Sequence, residues 1–266
     1  ATSVLLKLCV TQREFWMKHQ ENILYGVNAV TEALRAGKRQ IETITILESA
    51  RPDRLKPLLD LAREKRVPVH RVPRFDLGDV RHQGVVARIA AARYTDADKL
   101  LDLLESKIGS SDPPLVLGLD GIEDPHNLGS IVRTAECSGV HGAFIAERRA
   151  VGLTSVVAKV AAGALEYVPV ARVTNLVRLI EQLKERNIWV VGAAAEASST
   201  YSDWDWKLPT AIFLGSEGSG LHRLVRERCD LLVRIPVLGQ LKSLNVSVVA
   251  GILLYEALRQ RAQSSQ

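Results

Sequence analysis

The chain has 266 residues, of which 47% are hydrophobic and 24% charged, a balance that is typical of a soluble globular protein and excludes a disordered one. No apolar run approaches the roughly 18 residues of a membrane-spanning helix, and the interrupted apolar stretch at the N-terminus does not resemble a signal peptide. Residues 1–93 carry 17 Lys+Arg against 10 Asp+Glu, whereas residues 94–266 carry 18 against 20. The whole basic excess therefore lies in the first third, which indicates either a part that meets a polyanion or merely a solvated basic surface.

The three cysteines, Cys9, Cys137 and Cys229, are far apart, and no CxxC pair is present. An odd number with this spacing argues against a disulfide framework and against a zinc site. No cluster of histidine with acidic residues has metal-ligand spacing either. We therefore expect a cytoplasmic protein with reduced thiols, no bound metal and no membrane partner.

The first third combines a patternless start with an α/β pattern. Residues 1–21 are interpreted as an N-terminal extension, and residues 22–92 predict a compact α/β unit. Ile and Thr alternate between Ile41 and Leu47, as in a strand. The predicted elements are helices over 28–35 and 53–66, strands over 41–47 and 84–90, and an extended piece between Pro68 and Pro73.

Residues 93–114 are predicted to be a linker, because one short helix over 98–107 is followed by a stretch of loop-forming residues. From residue 115 to residue 266, short apolar strands alternate with helices. This pattern predicts a parallel sheet that is covered on both faces. The predicted strands are 115–119, 142–146, 167–173, 188–194, 210–214 and 231–237, and the helices are 127–137, 154–164, 175–186 and 244–261.

Ligands bind such sheets at the carboxyl ends of the strands, in the loops that lead into helices. The first of three polar loops runs from Asp120 to Arg133. It places Asn127 at a helix start and Arg133 six residues further, where we expect it to share the same helix face. Taken alone, Asn127 is explained as a helix cap and Arg133 as a surface cation.

The second loop runs from Leu214 to Leu221 and holds three glycines within GSEGSG, which lets the backbone pass close to a ligand. No Lys-Ser/Thr follows it, so it is not a Walker loop. The first strand is not followed by GxGxxG, which argues against a nicotinamide-dependent oxidoreductase. Glu217 would repel phosphate and suits a cationic or hydroxyl-bearing partner.

The third loop runs from Ile235 to Ser247 and leads into the last helix. Ser243, Asn245 and Ser247 crowd the start of that helix. One of them is a helix cap, but a single cap does not require so many polar residues. The three loops together therefore indicate a functional site.

These three segments resemble the three motifs of the SpoU group of RNA ribose 2′-O-methyltransferases, within the SPOUT superfamily. The matching stretches, in order, are DPHNLGSIVRTAECSGV, FLGSEGSGL and IPVLGQLKSLNVSVVAGILLYEALR. The resemblance covers Leu115 to Arg259. In the first third, YGVNAVTEAL and HQGVVARI resemble the small domain, similar to ribosomal protein L30e, that binds RNA in enzymes methylating a guanosine ribose of large-subunit ribosomal RNA.

The resemblance implies an α/β fold with two parts: a small L30e-like domain and, over residues 115–266, a SPOUT domain whose parallel sheet ends in a deep trefoil knot. Knots are rare exceptions to the usual topology rules. The knot would form the pocket for S-adenosylmethionine. Its implied walls are Leu214, Gly215, Ile235, Gly239 and Leu244. A homodimer with the active site near the subunit interface is also implied.

The implied reaction moves the sulfonium methyl group to a ribose 2′-hydroxyl, which needs help to lose its proton. Family resemblance points to Arg133 for that role. Because arginine stays charged in proteins, the roles of base and of phosphate or oxyanion anchor both stay open. Asn127, Glu217, Ser243 and Asn245 would orient the hydroxyl and hold Arg133, and no metal is needed.

The N-terminal resemblance favours a guanosine of 23S-type ribosomal RNA as the target. Two alternatives stay open. One is a transfer RNA ribose methyltransferase. The other is an RNA-binding or ribosome-assembly factor that keeps the scaffold but has lost catalysis.

Overall fold

The computed structural model of the chain describes residues 22–75, 82–241 and 243–262. The described residues form two compact units. Unit 1 contains those up to Arg93 together with Leu153–Glu166, and unit 2 contains Tyr94–Gly152 and those from Tyr167 onward. The predicted N-terminal extension, residues 1–21, lies outside the described residues.

Unit 1 is built on a four-stranded sheet in the order β1-β4-β2-β3. β2 pairs antiparallel with β4 and parallel with β3. The predicted alternation of β2 is present, since Ile44 and Ile46 are buried, and the first helix ends at Gly37 in the left-handed conformation, with φ 62°. The elements are β1 (Ile23–Tyr25), α1 (Val27–Ala36), β2 (Ile41–Leu47), α2 (Pro52–Glu64), β3 (Val69–Val72) and β4 (Val85–Ile89).

A segment from the middle of the chain completes unit 1. It forms α5 (Ser155–Val160) and a 3₁₀ turn (Ala164–Glu166), where the sequence predicts one continuous helix. The helix stops because Ala162 and Gly163 take positive φ values of 51° and 101°, which no α-helix accommodates.

Two contacts join this segment to the rest of unit 1. The guanidinium of Arg39 donates from Nε to Oε1 of Glu166 at 2.8 Å, and the Glu166 side chain is 2% exposed. The ammonium of Lys159 lies 4.8 Å from the ring centroid of Tyr25, within cation–π range. Burial raises the pKa of the Tyr25 hydroxyl, and a hydrogen bond with Ser155 partly offsets this.

Unit 2 contains a seven-stranded, all-parallel sheet in the order β7-β6-β5-β10-β8-β11-β9. The predicted parallel α/β architecture is therefore confirmed. Every residue of the interior strand β5 is buried, as expected for a strand covered on both faces. The strands are β5 (Leu115–Asp120), β6 (Gly142–Ala146), β7 (Val170–Val173), β8 (Trp189–Ala193), β9 (Ser199–Thr200), β10 (Thr210–Gly215) and β11 (Leu231–Arg234).

The helices of unit 2 include one from the region predicted as a linker. Leu100, Leu101 and Leu104 of this helix lie in the core with Phe144 and Phe213, so the segment belongs to the folded unit. The next helix starts earlier than predicted, because Asp124 caps it and Pro125 is its first residue. The helices are α3 (Ala97–Glu105), α4 (Pro125–Cys137), α6 (Leu176–Glu185), α7 (Arg223–Arg228) and α8 (Val246–Ala262).

Three short elements were not predicted: β1, β9 and α7. Each has at most six residues, too few to show a periodic pattern. Within the described ranges, no helix is long and apolar enough to cross a membrane.

Arg39→Ala should destabilise unit 1, because it leaves the Glu166 carboxylate buried without its partner. The expected cost is about 3–5 kcal/mol, which should speed hydrogen–deuterium exchange of the β2 and β4 amides by about a hundredfold or more. Arg63→Ala is the control, since Arg63 and Asp60 form an exposed ion pair at 3.6 Å that contributes little. Equal exchange in the two variants would contradict the structural role of Arg39.

Candidate active site

The strand order brings the three polar loops to one edge of the sheet. β5 pairs with β10 so that Asp120 is opposite Gly215, and β8 pairs with both β10 and β11. Because all these strands are parallel, their carboxyl ends lie side by side. The loops after β5, β10 and β11 therefore converge although they are distant in sequence.

One residue from each polar loop joins a hydrogen-bond network. Asn127 donates from Nδ2 to Oε1 of Glu217 at 3.0 Å. Asn245 donates from Nδ2 to Oδ1 of Asn127 at 3.0 Å and also to Oε1 of Glu217. Because Asn127 is buried, its side-chain amide forms hydrogen bonds with these two partners rather than with water. The three predicted residues are thus in direct contact.

Ser247 completes this network, although it was not among the predicted site residues. Oδ1 of Asn245 accepts hydrogen bonds from the backbone N of Ser247 at 2.9 Å and from its hydroxyl at 2.6 Å. Asn245 thereby caps α8 while it bridges to Asn127 and Glu217. Asn245 is therefore the helix cap that was expected in the third loop, and its contacts with the start of α8 hold it in place.

Arg133 and Ser243 lie apart from the network. Arg133 is exposed on α4 and makes no hydrogen bond or salt bridge with any residue of the described ranges. The prediction that it shares a helix face with Asn127 is wrong, because six residues at about 100° each place the two side chains about 120° apart. Ser243 lines a neighbouring cleft without bonding to the network.

This cleft has a volume of about 390 Å³, within the usual range for a small-molecule site. Of the predicted wall residues, Leu214, Gly215, Ile235 and Leu244 line it, but Gly239 does not. Gly239 lies in an exposed part of the loop, where a Cβ atom would meet nothing within 4 Å. Local sequence could place Gly239 in the loop but not decide which loop residues face inward.

The end of β8 and the residues after it form a wall that was not predicted from the sequence. Ala193, Ala194, Ala195 and Glu196 line the cleft, and Arg226 of α7 pairs with Glu196. The sequence held a signal for this wall, because the segment also follows the carboxyl end of a strand. It was missed because three alanines show no obvious chemistry.

The glycine-rich loop closes on itself very tightly. Ser216 donates from N to the carbonyl of Gly220 at 3.1 Å, and Gly220 donates back at 2.9 Å. A Cβ atom on Gly215 would lie 2.0 Å from the carbonyl carbon of Gly220, whereas one on Gly218 would meet nothing within 4 Å. Gly215 is therefore required by packing within the loop.

The same loop also lines a second cavity, of about 480 Å³. Four loop residues, Ser216–Ser219, line both this cavity and the cleft. The wall of the second cavity includes His222, which was not predicted as a site residue. Nδ1 of His222 is 2.8 Å from Oδ1 of Asp120, and the backbone N of His222 donates to Oδ2 of Asp120 at 2.8 Å. The sequence held one signal for this pair, which was a carboxylate, Asp120, at the buried end of an apolar strand.

Two remaining groups have no visible role in the site. Burial raises the pKa of the Cys229 thiol to about 12, which keeps it protonated and inert. Burial also raises the pKa of the Cys137 thiol, and the neighbouring Glu136 raises it further.

No group of three or more His, Cys, Asp or Glu side chains in the described part of the chain could hold a metal ion.

Comparison with known proteins gives two domain matches. Residues 114–255 match the SpoU rRNA Methylase family, and residues 23–95 match the domain described as RNA 2′-O ribose methyltransferase substrate binding.

Similar individual proteins span nearly the whole chain. A Bacillus subtilis protein named as a TrmH family tRNA/rRNA methyltransferase, YacO, is 45% identical over 92% of this chain and 98% of its own. The 23S rRNA (guanosine-2′-O-)-methyltransferase RlmB of Pseudomonas aeruginosa is 42% identical over 90% and 96%. The structure of the SpoU methyltransferase AviRb of Streptomyces viridochromogenes in complex with AdoMet superposes with a TM-score of 0.73 at 26% identity, covering 93% of each chain.

Gly215→Ala should weaken binding of S-adenosylmethionine, the ligand that the sequence motifs imply, by tenfold or more, because the added methyl group forces the cleft wall apart. Such a loss corresponds to about 1.4 kcal/mol. Isothermal titration calorimetry measures it. Gly251→Ala in α8 is the control and should bind like the unmodified protein, because Gly251 lines neither cavity and its added Cβ would meet only Thr134, at 3.9 Å. Unchanged affinity in both variants would contradict the assignment of this cleft.

Proposed function

Since the chain belongs to the SpoU rRNA methylase family, we propose that it transfers the methyl group of S-adenosylmethionine to a ribose 2′-hydroxyl of structured RNA. The membership confirms the family that the motifs predicted, and with it an RNA methyltransferase enzyme. The observation that carries the proposal is the contact of Asn127, Glu217 and Asn245 beside the cleft. The presence of all three polar residues argues against a factor that keeps the scaffold but has lost catalysis.

The cleft suits S-adenosylmethionine by chemistry as well as by size. Leu214, Ile235 and Leu244 offer apolar surface for an adenine ring, and backbone groups of the glycine-rich loop are accessible at its side. Glu196, Glu217, Arg226 and Arg234 also line it, and Glu196 is paired with Arg226. Charges of both signs suit a ligand that carries ammonium, carboxylate and sulfonium groups. When bound, the sulfonium supplies a methyl group that is already activated, so no metal is required.

Glu217 has a second consequence for the reacting hydroxyl. Its Oε1 already accepts from Asn127 and Asn245, so the carboxylate is held in one orientation beside the cleft. A ribose hydroxyl that donates to it would be positioned before reaction. Such positioning lowers the entropic cost of reaching the transition state.

Arg133 requires a further assumption, because it does not reach this network in its own chain. We propose that the protein is a homodimer, in which Arg133 of one protomer serves the site of the other as base or as anchor for phosphate or the developing oxyanion. Val248, Tyr255 and Leu258 are exposed apolar residues on α8, which packs beside α4. Burying such a surface favours self-association.

The proposed substrate is a guanosine of large-subunit ribosomal RNA, methylated in the cytoplasm. It is supported by the substrate-binding domain match over residues 23–95, by the name of the Pseudomonas relative, and by the basic excess of residues 1–93. Transfer RNA is the alternative substrate, since the Bacillus relative is named for both RNAs. Mapping 2′-O-methyl sites in RNA from cells with and without the protein separates the two.

Two finer features of the fold belong to the same proposal. We infer that unit 1 is L30e-like and that the chain between β10 and α8 is threaded as the deep trefoil knot of the superfamily. The second inference is supported by the lining of the cleft, to which the segments after β8, β10 and β11 all contribute. A knot would hold these three segments together without a disulfide.

Arg133→Ala should lower methyl transfer by about a hundredfold or more and leave binding of S-adenosylmethionine within twofold, because Arg133 is outside the cleft. Transfer of tritium from labelled cofactor to unmodified ribosomal RNA measures the first effect, and calorimetry the second. Arg178→Ala, an exposed arginine on α6 that lines neither cavity, is the control. Folded protein that transfers no label to any bulk RNA would instead indicate a catalytically silent RNA-binding factor.

A further inference from the structure

The second cavity has a lining that the function described so far does not use. Its volume of about 480 Å³ is within the usual range for a small-molecule site. The loops after β5, β6 and β10 all contribute to its wall, and their side chains there include Glu123, Asp124, Arg149 and His222. Carboxylates, a guanidinium and an imidazole therefore line one space.

These three loops are held together around Gly121. A Cβ atom on Gly121 would lie 3.5 Å from Cε1 of His222 and 3.9 Å from the backbone oxygen of Arg149. Beside it, the backbone N of Val151 donates to the carbonyl of Ile122 at 2.9 Å. The residues that line the cavity are thus carried by loops that pack against one another, so the cavity is formed before any ligand binds.

Asp120 fixes the imidazole of His222 in place. The Asp120 side chain is only 6% exposed. One of its oxygens is 2.8 Å from Nδ1 of His222, and the other accepts from the backbone N of His222 at 2.8 Å. The His222 side chain itself is 45% exposed. A planar ring that is both anchored and accessible is suited to stacking against a nucleobase.

Two charged side chains of the cavity are available to a ligand. Glu123 and Arg149 are exposed, and neither makes a hydrogen bond or salt bridge with any residue of the described ranges. By contrast, Asp124 caps α4 and Glu217 is held in the amide network. The cavity therefore offers an acceptor and a donor. Because its carboxylates outnumber its guanidinium, it does not favour a phosphate group.

Guanine is the nucleobase that matches this acceptor and donor. Its Watson–Crick edge presents two adjacent donors, N1–H and the N2 amino group, which one carboxylate can accept together. Its other edge presents the acceptors O6 and N7, which suit the two-pronged guanidinium of arginine. Adenine, cytosine and uracil each lack the two adjacent donors. A carboxylate and a guanidinium in one cavity are thus complementary to guanine.

The position of the cavity suits a base whose ribose lies at the cofactor cleft. Ser216–Ser219 line both spaces, and this segment includes Glu217, the carboxylate expected to position the ribose hydroxyl. In a nucleotide, the base and the 2′-hydroxyl are attached to neighbouring ribose carbons. A ribose at the shared loop therefore lets the hydroxyl reach the cleft while the base occupies the second cavity.

We propose that the second cavity is a guanine pocket that selects the target nucleotide; this rests on the proposed function. Glu123 accepts hydrogen bonds from N1–H and the N2 amino group, Arg149 donates to O6 and N7, and His222 stacks on the ring. These residues bind the base and take no part in the transfer of the methyl group. The target guanosine must leave its base stack to enter the pocket.

The test combines substitutions in the protein with substitutions in the RNA and measures kcat/KM for methyl transfer. The RNA is a fragment around the mapped methylation site. Its target guanosine is either kept, replaced by inosine, which lacks the N2 amino group, or replaced by 7-deazaguanosine, which lacks N7. The unmodified protein should prefer guanosine over each analogue by about 10- to 100-fold, the range that one specific base contact provides.

Each protein variant should lose one of these two preferences. Glu123→Ala should reduce the preference over inosine to less than about threefold and keep the preference over 7-deazaguanosine, because only the contact with the N2 amino group is gone. Arg149→Ala should do the reverse. Binding of S-adenosylmethionine should be unchanged in both variants, since neither residue lines the cleft. A general loss of structure would instead lower transfer to all three RNAs alike.

Glu147→Ala and Arg148→Ala are the matched controls. Both side chains are exposed, lie in the same loop as Arg149 and line neither cavity, so both preferences should be kept.

The outcomes separate this pocket from the proposed function. Unaltered preferences in Glu123→Ala and Arg149→Ala, or a mapped target other than guanosine, overturn the pocket while transfer to a ribose hydroxyl stands. If the unmodified protein transfers no methyl group to any RNA, the proposed function fails and the pocket fails with it.

Discussion

The parallel pairing of β5 with β10 is the constraint on which the rest of the site depends. Its register places Asp120 opposite Gly215, so the loop that begins at one residue runs directly beside the loop that begins at the other. From this pairing follow the contact between Asn127 and Glu217, and the contact between Asp120 and His222. A shift of one residue along the strand would turn the side chain of Asp120 to the other face of the sheet.

Around this pairing, one short loop lines two cavities. Residues 216–219 line both the cleft and the second cavity. The shape of the loop depends on Gly215, where any side chain would collide with the returning backbone. Glu217 projects from the same loop and is held by two amide groups. In the function that we propose, cofactor binding and hydroxyl positioning depend on the same few residues, so a change in the loop should affect both.

Unit 1 includes a segment that lies far from the rest of the unit in the sequence. Residues 153–166 lie between β6 and β7 in the chain, yet Ala158 packs in the core of unit 1 and Glu166 pairs with Arg39. The match to the methylase family, over 114–255, includes this segment. The unit that is expected to capture RNA is thus completed by residues of the catalytic stretch.

The sequence by itself determined the positions of the long helices and strands, the parallel α/β class and the three loops that carry polar residues. These follow from periodicity and from turn-forming residues, which act over a few positions. It also located Asn127, Glu217 and Asn245, because their motifs are local. Only the tertiary structure decided that Gly239 is not part of the lining of the cleft and that Asp120 meets His222. Those outcomes depend on strand order and on contacts between residues about a hundred positions apart, which no local pattern encodes.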